Sequence, residues 1–248
     1  MTQSVNKDRL LQELSVLARR GPVDALGSGS NAVGKTLQHH LKIEHSTNAR
    51  NKKYGFTATG TTVSSGRRTN LFACVANWKA SAVDSSNALT DLVGRPDEGR
   101  GYSSSLFCTV DSLHPNGFGL MLCIQFDPPS LVEKWVTGAE EKVLLRWDTE
   151  VVFKKLAALG NTAIVTADRI AAGRGRLRFH FKTVELLGPP NQRVFLQLID
   201  EGAITIDHLI SRKVGENTAT EKGPLFKIDA ASREQLYTSV ERVDLMSL

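Results

Sequence analysis

The segment GRGRLRFHFK, residues 173–182, alternates between basic and apolar side chains. Successive side chains of a β-strand point to opposite faces, whereas a helix would scatter the two kinds around its axis. The segment therefore predicts a half-buried strand whose core face carries Leu177, Phe179 and Phe181. The opposite face then carries a basic row formed by Arg174, Arg176, Arg178, His180 and Lys182.

The rest of the chain shows helical and strand patterns in irregular alternation. Leucines at helical spacing predict a first helix that starts near Asn6, and a second helix grows out of the loop 27–31. Further helices are predicted after Thr149, at 192–201 and after Asp229. Strands are predicted at 54–59, 69–78, 105–110 and 117–126 and in TAIVTAD, AITIDHLIS and PLFKI. This order indicates an α/β domain with a mixed sheet.

Length and composition bound the domain organisation. The 248 residues are 41% hydrophobic, which suffices for a full core and is compatible, over 1–248, with one large domain or with two lobes that share a sheet. The Ser/Gly-rich segment 79–105 is predicted to be a flexible flap. The three cysteines fit no disulfide or metal pattern, and no apolar run is long enough to cross a membrane. We expect a soluble cytoplasmic protein with reduced thiols.

The charge of the chain favours an anionic partner. The sequence has 31 Lys and Arg against 26 Asp and Glu, a net charge of +5. A basic row without counter-charges repels itself, and a nucleic-acid backbone would relieve that repulsion. Cations outside the row extend the predicted DNA-binding set, which adds Lys35, Lys52, Lys53, Arg67, Arg68, Arg212, Lys213 and Lys222.

Two other motifs suggest different chemistry. Residues Gly29–Thr36 spell the G-x-x-x-x-G-K-T of a nucleotide-binding P-loop, but the preceding GPVDALGS cannot form the buried strand that such a loop requires. The cluster of His39, His40 and His45 has no carboxylate or cysteine at a spacing that would complete a metal site. A phosphate contact at a helix N-terminus and a half-exposed helix face are the simpler interpretations.

The ordered motifs GSNAVGKTLQHHL, GFTATG, TNLFACVAN, GFGLMLCIQF, FHFKTVELL, LIDEGAITID and GPLFKIDAASREQLY resemble the MvaI/BcnI family of restriction endonucleases, relatives of the mismatch-repair nuclease MutH. The resemblance runs from about Gly27 to Tyr237. It implies a restriction-endonuclease-like PD-(D/E)XK fold, with a mixed sheet flanked by helices in a two-lobed clamp. It also implies a monomer that encloses duplex DNA and cuts it with Mg²⁺.

The chain departs from this family where the chemistry takes place. The resemblance implies a catalytic Asp at Lys52, a Glu-x-Lys motif at Thr57–Thr59, and a further Glu on the second helix at His39 or His40. Hydroxyls and a lysine cannot assemble a site for a hard cation, so we expect no intact catalytic residue and no metal. The family's His-rich base-reading loop is matched here by TATEKG, residues 218–223.

We therefore expect a catalytically inactive protein that binds double-stranded DNA without a cofactor. It would act as a targeting or accessory subunit in bacterial defence or DNA processing, near the nucleoid and with a separate catalytic or effector protein. The alternative is an active Mg²⁺-dependent type II-like endonuclease with relocated carboxylates, for which the candidates are Glu44, Asp84, Asp97, Glu98 and Asp111.

Overall fold

A computed structural model of the chain describes residues 2–29, 31–43, 52–62, 68–127, 129–173 and 175–248. The chain divides into two compact units, each assembled from separate segments. Unit 1 comprises 1–65, 159–190 and 237–248, and unit 2 comprises 66–158 and 191–236. In the described residues, no helix is long and apolar enough to cross a membrane.

The described residues form five α-helices and fifteen strands, joined in places by short 3₁₀ turns. The helices are α1 (Thr2–Arg19), α2 (Ala32–His40), α3 (Ser86–Val93), α4 (Thr149–Ala157) and α5 (Gln192–Asp200). The strands are β1 (Val23–Asp24), β2 (Lys52–Lys53), β3 (Phe56–Thr62), β4 (Thr69–Ala73), β5 (Arg95–Asp97), β6 (Tyr102–Val110), β7 (Leu120–Phe126), β8 (Pro129–Thr137), β9 (Glu140–Asp148), β10 (Asn161–Ala171), β11 (Leu177–Leu187), β12 (Ile204–Lys213), β13 (Thr220–Glu221), β14 (Leu225–Ile228) and β15 (Val240–Asp244).

Unit 1 is a mixed sheet whose core lies between one sheet face and two helices. Its strands run in the order β1-β11-β10-β3-β2, and β15 also pairs with β11. Only the β3–β10 pair is parallel among those described in this sheet. The buried cluster joins Leu10 and Leu14 of α1 and Leu37 of α2 to Phe56 and Phe181 of the sheet. Each such side chain contributes about 1.5–3 kcal/mol by leaving water.

A glycine sets the distance between α2 and β3. A Cβ added at Gly60 would lie 2.9 Å from the carbonyl oxygen of Val33 in α2. That separation is shorter than any ordinary van der Waals contact, so only glycine allows the helix backbone to approach the strand this closely. The last residue of the motif GFTATG is therefore a packing residue.

Unit 2 contains two further sheets. One has the order β4-β14-β12-β6-β5, with β13 also paired with β12, and the other is the antiparallel meander β7-β8-β9. Trp147, Phe195 and Phe226 are fully buried, and the rings of Phe72 and Phe226 stack with centroids 4.9 Å apart. Offset aromatic stacking adds about 0.5–1.5 kcal/mol beyond the burial of area.

The predicted α/β class with a mixed sheet is confirmed, and two local expectations are corrected. The first helix begins before Asn6, because α1 starts at Thr2. The helix expected after Asp229 is wrong, because a 3₁₀ turn at Arg233–Leu236 is followed by β15. Two long strands, β8 and β9, were not predicted.

The segment 79–105 contains more regular structure than its composition suggests. It holds α3 and β5 and leads into β6, and the Ser85 side chain caps α3 by accepting the Ala88 N–H. The behaviour of this segment as a mobile flap stays a prediction.

Candidate functional site

The β2–β3 hairpin of unit 1 brings the three substituted strand positions together. Lys52 lies directly opposite Thr57 across the strand pair. Opposed residues of an antiparallel pair share a face, and Thr59 lies two positions further along β3 on that same face. Phe56 and Ala58 occupy the other face and are buried in the core. The structure thus collects a lysine and two threonines on one patch, which we call the hydroxyl patch.

The hydroxyl patch continues onto the neighbouring strand β10. Thr162 is the register partner of Thr57 in the parallel β3–β10 pair. Its side chain is buried, with no hydrogen-bond partner for its hydroxyl among the described residues. The Thr57 hydroxyl donates to the carbonyl oxygen of Leu159 at 3.2 Å. Sequence reasoning missed Thr162, because strand pairing and not sequence distance places it beside Thr57.

The donor set of the hydroxyl patch does not fit Mg²⁺. Hard cations require several oxygen ligands with carboxylate charge among them, and an ammonium group repels them. Lys52 is exposed, and its ammonium reaches within 3.9 Å of the position that a Cβ would take at Gly160. Throughout the part of the chain that the structure describes, no group of three His, Cys, Asp or Glu side chains is placed to hold a metal. An ammonium beside hydroxyls suits a phosphate oxygen instead.

The histidine positions lie at the end of α2. Burial lowers the pKa of His40, and the neighbouring charges of His39 and Arg20 lower it further. His40 lines a cleft of about 360 Å³ together with Lys53, which is the strand partner of Phe56 and therefore points toward the helix-covered face. Lys53 forms an ion pair with Glu13 at 3.3 Å. His40 thus accompanies Lys53 and is not brought to the hydroxyl patch, while His45 lies outside the described residues.

Two members of the basic row pair with carboxylates of neighbouring strands. Arg178 lies 3.1 Å from the carboxylate of Asp24 in β1, and Lys182 lies 2.5 Å from that of Asp168 in β10. The expectation of uncompensated cations is therefore wrong for these two residues. Alternation along one strand correctly assigned the faces but could not show the carboxylates that adjacent strands bring alongside.

The remaining members of the row differ in position. His180 does not stand free, because its Nε2 lies 3.1 Å from the carbonyl oxygen of Ala18 at the end of α1. Arg176 is exposed in the turn before β11, where no described ion pair involves it. Arg174 lies outside the described residues. Arg176 is the member of the row best placed to meet an external anion.

Arg68 has a structural role within unit 2. Its guanidinium donates to both carboxylate oxygens of Asp207, at 2.8 and 3.4 Å, and Lys227 pairs with the same carboxylate at 2.6 Å. Burial raises the pKa of Asp207, but hydrogen bonds from Lys227, Thr109 and Arg68 outweigh it and the net shift is downward. The Arg68 guanidinium is thus already engaged in hydrogen bonds within unit 2. Its neighbour Arg67 lies outside the described residues.

The basic residues near the end of β12 are held in unit 2. Arg212 forms an ion pair with Asp91 of α3 at 2.6 Å. Lys213 lies 3.7 Å from Glu216, a separation at which an exposed pair adds little stability. Lys222 is exposed at the end of β13. The loop between Lys213 and Lys222 exposes an apolar side chain, a carboxylate, an amide and a hydroxyl, from Val214, Glu216, Asn217 and Thr218.

The carboxylates that would serve a relocated metal site are dispersed. Asp97 pairs with Arg100, and Asp111 accepts the backbone N–H groups that follow it. Asp84 and Glu98 are exposed, and Glu44 lies outside the described residues. The four described positions belong to unit 2, and the structure forms no cluster from them.

The P-loop motif uses its key hydroxyl internally. Thr36 is fully buried, accepts the backbone N–H of Leu26 at 2.9 Å and donates to the Ala32 carbonyl oxygen at 2.7 Å. A nucleotide-binding loop would direct this hydroxyl to a metal ion. Lys35 is exposed on α2. Thr36 therefore packs α2 against the loop before it, and the exposed Lys35 is available to a phosphate.

Comparison with protein families identifies the chain. The model of the MvaI/BcnI restriction endonuclease family matches residues 11–237. The chain belongs to the MvaI/BcnI restriction endonuclease family. Comparison with curated proteins gives no match.

Solved structures agree with this family membership. A complex of the restriction endonuclease MvaI with its cognate DNA substrate superimposes with a TM-score of 0.77 at 14% sequence identity, over 96% of this chain and 97% of that one. MvaI in the absence of DNA superimposes with a TM-score of 0.55 at 13% identity, over 94% and 96% of the two chains. At these identities the likeness establishes the fold, and the restriction-endonuclease-like fold expected from the sequence is confirmed.

Proposed function

We propose that this protein binds double-stranded DNA on a restriction-endonuclease scaffold without cutting it. The observation that carries the proposal is the hydroxyl patch, where Lys52, Thr57 and Thr59 meet on one face of the β2–β3 hairpin. The family resemblance puts the catalytic Asp and Glu-x-Lys at these positions. A relative of known structure is a complex with cognate DNA, which supports DNA as the ligand.

The patch can hold a phosphate but lacks the means to hydrolyse its ester. A metal-dependent nuclease uses carboxylate-bound Mg²⁺ to neutralise the developing charge and to activate water. Here an ammonium and hydroxyls offer hydrogen bonds to phosphate oxygens, and no described carboxylate cluster is present to bind the ion. The protein would then act by locating or marking DNA, as a targeting or accessory subunit of a bacterial defence or DNA-processing system whose effector is a separate protein.

The first test measures binding and cleavage together. The purified protein is titrated onto pools of random duplex DNA, methylated and unmethylated, and the DNA is then incubated with Mg²⁺ or Mn²⁺ and examined on gels. We expect salt-sensitive binding and intact DNA. Discrete metal-dependent cuts would refute the loss of catalysis, and absence of binding at low salt would refute the DNA-binding function itself.

The second test restores the carboxylates. A triple variant, Lys52→Asp, Thr57→Glu and Thr59→Lys, rebuilds on the hairpin the residues that the resemblance places there. We expect it to bind Mn²⁺ measurably in calorimetry, while the wild type does not. Lys53→Asp is the matched control, since Lys53 lies on the same hairpin but faces the helices. Equal Mn²⁺ binding by the control and the triple variant would refute the assignment of the metal-ligand positions to the hydroxyl patch.

The third test addresses the exposed arginine of the β11 turn. Arg176→Ala should weaken binding to all duplexes alike and reduce the slope of log affinity against log salt by about one unit. Arg193→Ala, which removes an exposed arginine of α5, is the control and should leave both quantities unchanged. Equal effects of the two variants would mean that Arg176 contributes only net charge.

A further inference from the structure

Helix α3 holds the loop between β12 and β13 through the side chain of one asparagine. The Asn87 amide donates from Nδ2 to the carbonyl oxygen of Asn217 at 3.1 Å, and its Oδ1 accepts the backbone N–H of Ala219. One planar side chain thus fixes two backbone groups that flank Thr218. The arrangement is a two-point clamp on the loop 214–219.

Two neighbours of Asn87 secure the bases of the same loop. Asp91, one turn further along α3, pairs with Arg212 of β12 at 2.6 Å. Ser86 donates its hydroxyl to the carboxylate of Glu221 in β13. The helix therefore contacts the loop at its start, its middle and its end. Contacts of this kind remove conformational freedom from a loop before it meets a partner.

The clamp leaves particular side chains pointing to solvent. Thr218, Thr220 and Lys222 are exposed, whereas Glu221 is partly buried toward α3. Gly215, with a φ of +83°, makes the turn at the loop's beginning, and the Glu216 N–H donates to the Lys213 carbonyl oxygen. Threonine hydroxyls both donate and accept hydrogen bonds, as contacts with base edges require.

We propose that Asn87 is a positioning residue for DNA sequence preference. It holds Thr218 and Thr220 in the places from which they contact bases, while itself touching no DNA. This inference rests on the proposed DNA-binding function. Base contacts demand that donors and acceptors be placed to a fraction of an ångström, so release of the clamp should affect discrimination more than affinity for DNA in general.

The test separates preference from affinity. Repeated selection from a random duplex pool first defines the best wild-type site, and affinities for that site and for a scrambled duplex are then measured for each variant. Asn87→Ala should reduce the ratio of the two affinities about tenfold, which is the discrimination of roughly one base pair. Its affinity for scrambled DNA, its salt slope and its urea unfolding midpoint should stay at the wild-type values.

Three further variants complete the experiment. The double variant Thr218→Ala, Thr220→Ala should lower the ratio as Asn87→Ala does. Asn87→Asp keeps an acceptor for the Ala219 N–H and should retain part of the preference. Asn70→Ala, which truncates an exposed asparagine of β4, is the control and should leave the affinity ratio and the unfolding midpoint at the wild-type values.

The outcomes distinguish this inference from the proposed function. If the wild type binds no DNA, the proposed function fails. If it binds DNA without any preference, or if Asn87→Ala retains the preference, the DNA-binding function stands and the role of Asn87 is refuted. If Asn87→Ala loses affinity equally for both duplexes and also has a lowered urea unfolding midpoint, Asn87 contributes to stability alone.

Discussion

A buried ion pair makes unit 2 sensitive to the loss of either partner. His208 of β12 and Glu133 of β8 lie 2.7 Å apart, and both side chains are completely shielded from solvent. At an effective dielectric constant of about 20, two charges at that distance attract by about 6 kcal/mol. Desolvation of the two ions offsets most of this gain, but removing only one partner leaves a buried charge and costs about 3–5 kcal/mol.

The assay is a double-mutant cycle measured by urea unfolding. Glu133→Met and His208→Leu should each destabilise the protein by about 3 kcal/mol or more. The double variant should lose less than the sum of the two, because it buries no unpaired charge. Additive losses in the cycle would refute the reasoning, since they would mean that the two side chains do not depend on each other.

The pH dependence of the same pair gives an independent check. Burial alone would lower the pKa of His208, but the charge and hydrogen bond of Glu133 raise it more, and the net shift is upward. A raised folded-state pKa stabilises the protein fully below the unfolded value of about 6.5, and this contribution is lost as the pH rises through the folded value. Wild-type stability should therefore fall above about pH 6.5, and the His208→Leu variant should lack that component of the decline.

Three further predictions follow from local geometry. Gly60→Ala should destabilise unit 1 by about 1–3 kcal/mol, because its Cβ would meet the backbone of α2. Gly99→Ala, where a Cβ meets open space, should be nearly neutral, and equal urea midpoints for the two variants would contradict this. Asp168→Asn should release Lys182 and raise both the DNA affinity and the magnitude of its salt slope, and unchanged values would mean that Lys182 does not contact DNA. Cys108, whose pKa burial raises to about 12, should react with a thiol reagent at pH 8 only on unfolding, and rapid labelling of Cys108 itself in the native protein, located by peptide mapping, would refute this.

The sequence predicted local patterns better than neighbours across the sheet. Apolar periodicity located α2, α4 and α5, and alternation assigned Phe179 and Phe181 to the core. The prediction of a helix after Asp229 was wrong because a short apolar repeat is compatible with either a helix or a strand. Pairing with β11 stabilises the strand β15 in this segment.

For the candidate site too, the sequence indicated individual residues but not their neighbours in space. The resemblance located Lys52, Thr57 and Thr59, and strand pairing in the structure shows that they share a face. No sequence pattern indicated Thr162 beside them, Asp24 and Asp168 beside the basic row, or Asn87 behind the loop 214–219. Each of these contacts depends on strand pairing or loop packing that no local pattern specifies.

The charge of the hydroxyl patch predicts how DNA binding depends on metal. The resemblance implies two carboxylates and one lysine at these positions, a net negative charge that repels DNA unless Mg²⁺ is bound. Lys52, Thr57 and Thr59 carry one positive charge instead, so no metal ion is needed to offset repulsion between this patch and DNA.

Addition of EDTA at constant ionic strength should leave the DNA affinity of the wild type unchanged. The triple variant that restores the carboxylates should bind DNA more weakly in EDTA than in Ca²⁺, which fills such sites without supporting rapid cleavage. A large loss of wild-type DNA affinity in EDTA would show that a divalent cation still bridges protein and phosphate. Direct phosphate binding by the hydroxyl patch would then be refuted.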